Sequence, residues 1–251
     1  MFIPSYRTQK NGVPILRKDE IDTIAEQYVS DFCPDALKEP KEIDIDSFCM
    51  NYLGLKQDYQ YLSNNCIYLG MMVFNDTNKV VVYNPSKNRA EYCSVKARTV
   101  IIDNSLLDES QEHRCRFTIG HECFHDVFHS VYYSYNPNQM SLFDSTAEPM
   151  IQCRAVALNS KPKSPQQWDC KDTMEWQSNY ASSAILMPRS MVLQLIQSMA
   201  TMDLLFRKAM YVRETSRVFN VSMQAAQYRL QGLGILSKNE KIPDILELDC
   251  I

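Results

Sequence analysis

The chain lacks most of the signals that would place it outside the cytoplasm. Its first residues, Met1 to Arg7, contain no apolar stretch of the kind that heads a secretory signal. No apolar run approaches the 18 or so residues of a membrane span. Nine cysteines are present, an odd number, scattered from Cys33 to Cys250 with no Cys-x-x-Cys pair, so no disulfide framework is indicated. They read as reduced thiols, and a cytoplasmic protein with no membrane partner is expected. Cys153 and Cys170 flank a polar stretch, but nothing in their spacing demands that they hold a second metal. Strong charge is missing too: a net charge of −4 argues against bulk binding to nucleic acid or anionic lipid. There is no internal repeat and no low-complexity tract. What remains, at 45% hydrophobic and 22% charged residues, is the composition of a globular protein large enough to bury a real core.

Read in order, residues 1–18 form an irregular lead-in. Ile21, Ile24, Ala25, Tyr28, Val29 and Phe32 follow helical spacing, and Pro34 stops the helix. Asp46 is a fair N-cap for a short helix closed by Gly54. Ile67–Phe74 and Val80–Tyr83 are β-rich runs separated by Asn75-Asp76-Thr77-Asn78, which predicts a hairpin, and Thr99–Ile102 is a third strand candidate. A helix should begin near Glu112. Residues 130–170 are rich in Tyr, Asn, Ser, Pro and Gln and show no period. Residues 173–187 are helical again up to Pro188, with Ser178, Ala181, Ser182 and Ala184 small enough to let another helix come close. Residues 190–236 are helical with a break at Asn220-Val221-Ser222, and Gly232 and Gly234 end the last segment. The division expected is an N-terminal helical segment (1–65), a mixed sheet-and-helix domain (66–200), and a C-terminal helical region with a tail (201–251).

All four histidines lie between residues 113 and 129. Within that stretch, His121-Glu122-x-x-His125 places two imidazoles one turn apart on one helix face, where both can reach a single metal ion. Glu122 sits about 100° round the helix, within reach of a water on that metal. Two His ligands for zinc with Glu as general base is the metalloprotease arrangement. A catalytic zinc needs a third protein ligand. Glu175 is the candidate, with Asn179 one turn further along to hydrogen-bond a ligand. Asp172-x-x-Glu175 equally fits a capping box in which Glu175 reaches back to its helix start, and composition alone does not separate the two. His129, one turn beyond His125, is expected beside the ligands, because a fourth protein ligand would close the site. Cys123 is expected in the core. Tyr132, Tyr133 and Tyr180 are candidates for steadying an oxyanion only through nearness in sequence.

These residues resemble the ImmA/IrrE family of metallopeptidases. Arg116-Phe117-Thr118-Ile119-Gly120-His121-Glu122-Cys123-Phe124-His125 is similar to the family's Arg-Phe-Thr-x-x-His-Glu-x-x-His segment. Glu175 to Pro188 is similar to its Glu-x-x-x-Asn helix ending in Leu-Met-Pro, whose first Glu is the third zinc ligand; the resemblance therefore favours Glu175 as ligand over Glu175 as cap. Phe219-Asn220-Val221-Ser222 followed by Arg229-Leu230-x-x-Leu233-Gly234 is similar to its downstream helix-turn-helix-like segment. Three departures stand out: Phe124 replaces a usual Gly, Ala181 a usual aromatic whose space Tyr180 could fill, and the stretch 130–170 is longer than in compact members. The resemblance implies an α+β, zincin-like fold: a small twisted sheet, a metal-binding helix, a second ligand helix and a helix-turn-helix-like C-terminal subdomain. It implies a Zn2+ endopeptidase in bacterial regulation, with a helix-turn-helix repressor as protein substrate. An extended substrate would add to a sheet edge, expected near residues 67–83.

A competing expectation is a DNA-binding regulator with zinc as a structural element. Between Leu205 and Lys241, Arg207, Lys208, Arg213, Arg217, Arg229, Lys238 and Lys241 outnumber Glu214 and Glu240, and Ser222, Gln224 and Gln227 could read bases. DNA binding is the less favoured expectation, because a helical subdomain docked on the catalytic domain accounts for the same residues.

Overall fold

The structure is a computed structural model that describes residues 1–133, 150–154, 164–199 and 207–237. It is a mixed α+β fold. The lead-in makes a tight turn in which Gln9 N–H donates to the Val13 carbonyl and Gly12 takes a left-handed φ of +88°. Helix α1 (Lys18–Phe32) buries Ile21, Ile24, Ala25, Tyr28 and Val29, as its spacing predicts. Pro34 opens a 3₁₀ turn to Leu37. Helix α2 (Ile45–Ser47) continues as a π turn (Phe48–Tyr52), and Gly54 follows at a φ of +66°. Its N-cap is Asp44, whose carboxylate accepts from Ser47 N–H, not Asp46.

Strands β1 (Lys56–Gln60), β2 (Tyr68–Val73), β3 (Thr77–Asn84), β4 (Arg89–Val95) and β5 (Thr99–Asp103) follow. The expected hairpin between β2 and β3 does not form. Instead β3 pairs with β4 as a separate two-stranded ribbon, while β2 pairs with β5. Asn75 and Asp76 explain the misreading, because both are drawn into tertiary contacts. Asn75 donates to the Tyr133 carbonyl, and Asp76 accepts from the Ala97 N–H and from Lys96. The main sheet has the order β1-β5-β2-β6, with β6 (Met150–Arg154) antiparallel to β2 and β1 parallel to β5. Strand β2 is thus interior, and the sheet edges among the described residues are β1 and β6.

Helix α3 (Glu112–Tyr133) lies on one face of this sheet and the β3–β4 ribbon on the other. Period-two alternation divides the strands accordingly: Met71, Val73 and Ile101 pack with Val80 and Val95 of the ribbon, whereas Met72, Val100 and Ile102 face the helices. Helices α4 (Cys170–Leu186), α5 (Arg189–Ser198), α6 (Arg207–Phe219) and α7 (Met223–Gly232) follow among the described residues. One hydrophobic cluster runs through all three stretches expected from the sequence. It joins Ile21 and Val29 of α1, Phe124 and Ile185 of the central helices, and Phe219 and Leu230 of the C-terminal pair.

Two buried arginines tie these stretches together. Arg116 of α3 donates to the Asn220 carbonyl at 3.1 Å and the Ile43 carbonyl at 3.0 Å, and meets Glu42 at 2.6 Å. Arg229 of α7 donates to the Met187 carbonyl at 3.0 Å and forms a buried ion pair with Asp22 of α1, at 2.7 Å. Its contact with Asp22 is a close charge pair, not an aligned hydrogen bond. Phe124 packs against Tyr28, Phe48 and Phe128, so the bulk that departs from the family pattern is absorbed by the N-terminal aromatic cluster.

The contact between α3 and α4 is close because it is lined with small residues. A Cβ on Gly120 would stand 2.6 Å from Ser182 Oγ, itself bonded to the Phe117 carbonyl at 2.8 Å. Ser178, Ala181, Ser182 and Ala184 are all buried there, as their size predicts. Gly120→Ala should destabilise the fold by about 1–3 kcal/mol through overpacking. Adding Ser182→Ala should recover part of that loss, because the two sites share one contact. Urea unfolding of both variants checks this.

Candidate metal centre

The first turn of α4 decides what Glu175 is free to do. Asp169 is the N-cap, its carboxylate accepting from Asp172 N–H at 2.8 Å, while Asp172 accepts from Asp169 N–H at 3.0 Å. The capping box is therefore Asp169–Asp172, one turn earlier than the sequence alternative. Glu175 stands past it and points to α3, with its oxygens 3.4 Å from His121 Nε2 and 3.5 Å from His125 Nε2. The two Nε2 atoms are 2.8 Å apart, and the three donor groups lie within 4.8 Å of one another.

Asn179 lies on the same face of α4 and contacts His121 Nδ1 through its Oδ1 at 3.1 Å. Accepting from Nδ1–H leaves a lone pair on His121 Nε2, the atom that faces Glu175. His129 does not join the trio. Its Nδ1 is 2.9 Å from His125 Nδ1, and its Nε2 is 2.9 Å from Gln177 Oε1.

Burial sets the charge of each group. The interior pushes the His125 pKa down to about 4, with the neighbouring His121 adding to the effect, so the ring is neutral at physiological pH. His129 is pushed down for the same reason. Burial alone would raise the Glu175 pKa. The neighbouring imidazoles of His121 and His125 outweigh it and hold the group as a carboxylate. Two imidazoles and one carboxylate are the donor set of a divalent transition metal, which takes the unprotonated nitrogen of each ring. Nitrogens about 2.0–2.1 Å from a tetrahedral zinc are about 3.3 Å apart. The Glu175 contacts already have that spacing, and the histidine pair would open by a few tenths of an ångström.

Glu122 is fully buried beside this trio, and among the described residues neither carboxylate oxygen has an aligned hydrogen-bond partner, although the Met72 N–H stands near enough to pull its pKa slightly down. Desolvation pushes its pKa up to about 8, against the opposing pull of His121. A buried carboxyl with neither oxygen in an aligned hydrogen bond is the kind of group that a water completes. Its space comes from Gly70 of β2, where a Cβ would sit 2.6 Å from Glu122 Oε1 and 2.6 Å from Thr118 Cγ2.

Gly70 and Gln177 are the residues that sequence reasoning missed. A glycine inside a β-rich run signals close backbone approach, which could have found Gly70. Gln177 had no comparable signal. Cys123 is in the core, as expected. Tyr180 turns away from the trio to donate to Asp22 at 3.1 Å, and Tyr133 stacks on Phe74. Cys170 accepts from Asn11 Nδ2, while the Cys153 side chain lies outside the described residues. In the C-terminal helices, Ser222 caps α7, Arg217 is paired with Glu214, and Arg229 is buried against Asp22, which leaves Gln224 exposed and Gln227 half-buried. No helix among the described residues is long and apolar enough to cross a membrane.

A family profile described as the IrrE N-terminal-like domain, a peptidase family, matches residues 164–231. The matched stretch runs from just before α4 to α7 and so includes Glu175, Gln177 and Asn179, but not α3. It supports a relation to the ImmA/IrrE family and a metallopeptidase-type function. No curated protein gives a significant match.

Wild-type protein loaded with zinc and desalted should keep a single ion, and His121→Ala should lose it, as read by elemental analysis. Gly70→Ala should keep the metal and displace Glu122, so metal content near wild type with reduced peptide hydrolysis is expected.

Proposed function

We propose that the chain is a zinc-dependent endopeptidase with a zincin-like catalytic unit, in which His121, His125 and Glu175 hold the metal and Glu122 is the catalytic base. The observation that carries this reading is the convergence of three ligand atoms on one point beside a buried Glu122 that has no aligned hydrogen bond among the described residues. Zinc at that point would act as a Lewis acid toward the scissile carbonyl and lower the pKa of a water. Glu122 accepts a proton from the attacking water and passes it to the leaving amine. Asn179 holds the His121 ring in the orientation that aims Nε2 at Glu175. The helix–sheet interior around Glu122 keeps bulk water from competing for its proton.

The substrate edge differs from the sequence expectation, because β2 is interior and β3 belongs to the ribbon. An extended peptide adds instead along β6. That strand is paired on one side with β2, the strand whose Gly70 makes room for Glu122. Resemblance to the ImmA/IrrE family makes a helix-turn-helix repressor the proposed protein substrate, and a cytoplasmic regulatory system the proposed setting. The alternative of a DNA-binding regulator with structural zinc is less favoured, because Arg229, one of its seven basic residues, is buried in an ion pair with Asp22 and so is not available to a nucleic acid.

Glu122→Gln separates catalysis from scaffolding. Gln still hydrogen-bonds but cannot accept a proton. Cleavage of a repressor encoded beside the gene should fall by about 10²–10⁴-fold, with zinc content unchanged. Equal cleavage by both proteins would remove Glu122 as the base.

A further inference from the structure

A chain of hydrogen bonds runs from the metal centre to the backbone of the lead-in. Gln177 Nε2 donates to the Pro14 carbonyl at 2.8 Å. A carbonyl oxygen can only accept, so the amino end of the Gln177 amide must be the end facing Pro14. Its oxygen therefore faces His129 Nε2, at 2.9 Å, and that nitrogen must carry the proton. The buried His129 ring is hydrogen-bonded to an amide oxygen and another imidazole, with no anion bonded to it to hold a second proton, so its Nδ1 holds a lone pair. That lone pair faces His125 Nδ1 at 2.9 Å, so His125 carries its proton on Nδ1. The only tautomer left to His125 has a lone pair on Nε2, the atom directed at His121 and Glu175.

We infer that Gln177, oriented by the Pro14 carbonyl and acting through His129, is a positioning residue that fixes His125 in its metal-binding tautomer. The inference rests on the reading of His121, His125 and Glu175 as metal ligands. Each end of the chain is anchored. The Pro14 carbonyl belongs to a turn closed by the Thr8–Pro14 bridge, with the neighbouring Val13 buried and Gly12 pressed against Val131 and Tyr132 of α3. Gln177 itself is buried between that turn and α3. His121 has its own tautomer partner in Asn179. The two histidines are thus set from opposite directions, His121 by a side chain on the ligand helix and His125 by a relay ending on the main chain. Reversing the relay would place a proton on His125 Nε2, where it would compete directly with a metal.

The test uses the full-length protein. Nitrogen-15 spectra of the histidines in metal-free wild type should show His125 protonated on Nδ1 and His129 on Nε2. The reverse pattern overturns the inference without any variant. Zinc affinity is then measured by chelator competition for wild type, Gln177→Met and Gln177→Glu. Met fills similar space but gives His129 no oxygen, so affinity should fall by about 10–100-fold. Glu keeps an acceptor for His129 Nε2–H but loses the N–H that donates to the Pro14 carbonyl, so its affinity should lie between those of wild type and Gln177→Met. Equal affinity in Gln177→Met and wild type would reduce Gln177 to a packing role. Failure of wild type to bind zinc at all would overturn the metal reading, and the inference with it.

Discussion

Helix α4 reaches the histidine pair because Gly120 has no side chain. Glu175, Gln177 and Asn179 all sit on α4, and each meets a different histidine atom on α3. Their reach depends on the two helix backbones lying closer than ordinary side chains allow. Ser182 holds the gap from the other side through the Phe117 carbonyl. Gly70 makes the same kind of allowance on β2, so Glu122 is fitted where a methyl group on that strand would not go. Sub-ångström packing is thus what brings the ligand atoms, a candidate base and their supports to one point.

Much of this was legible in the chain. The histidine-bearing helix, the face that carries His121 and His125, the partner helix and its small residues followed from spacing, because both periodicity and side-chain size act locally. Strand pairing was not legible. Asn75-Asp76-Thr77-Asn78 has hairpin chemistry, but its polar groups are used by Tyr133, Lys96 and Ala97, partners set only by the tertiary fold. The short strands β1 and β4 were missed because neither carries an apolar run; β1 is Lys-Gln-Asp-Tyr-Gln. The contest over Glu175 turned on a single turn of helix. Asp169 and Asp172 supply the cap, so Glu175 is not needed there. Gln177 was invisible because a buried glutamine becomes informative only when its two partners are known.

The C-terminal helices show how far charge counting can mislead. Seven basic residues suggested a surface for nucleic acid. Arg229 is instead one of the largest buried side chains, bonded to the carbonyl that ends α4 and paired with α1. Arg116 does the same at the opening of α3, gripping Asn220 in the break between α6 and α7 and the segment before α2. These two cations fasten the N-terminal and C-terminal thirds to the helices that carry the site.

The Pro14 carbonyl has a genetic consequence. It is a main-chain atom, so no codon change at position 14 can delete it, whereas every other member of the relay is a side chain that a single substitution removes. The lead-in is therefore free to drift in composition while its path is held. Substitutions that preserve the turn from Thr8 to Pro14 should be silent at the histidines even where they look radical. A one-residue insertion there would shift the carbonyl and be felt more than 100 residues downstream, at His125.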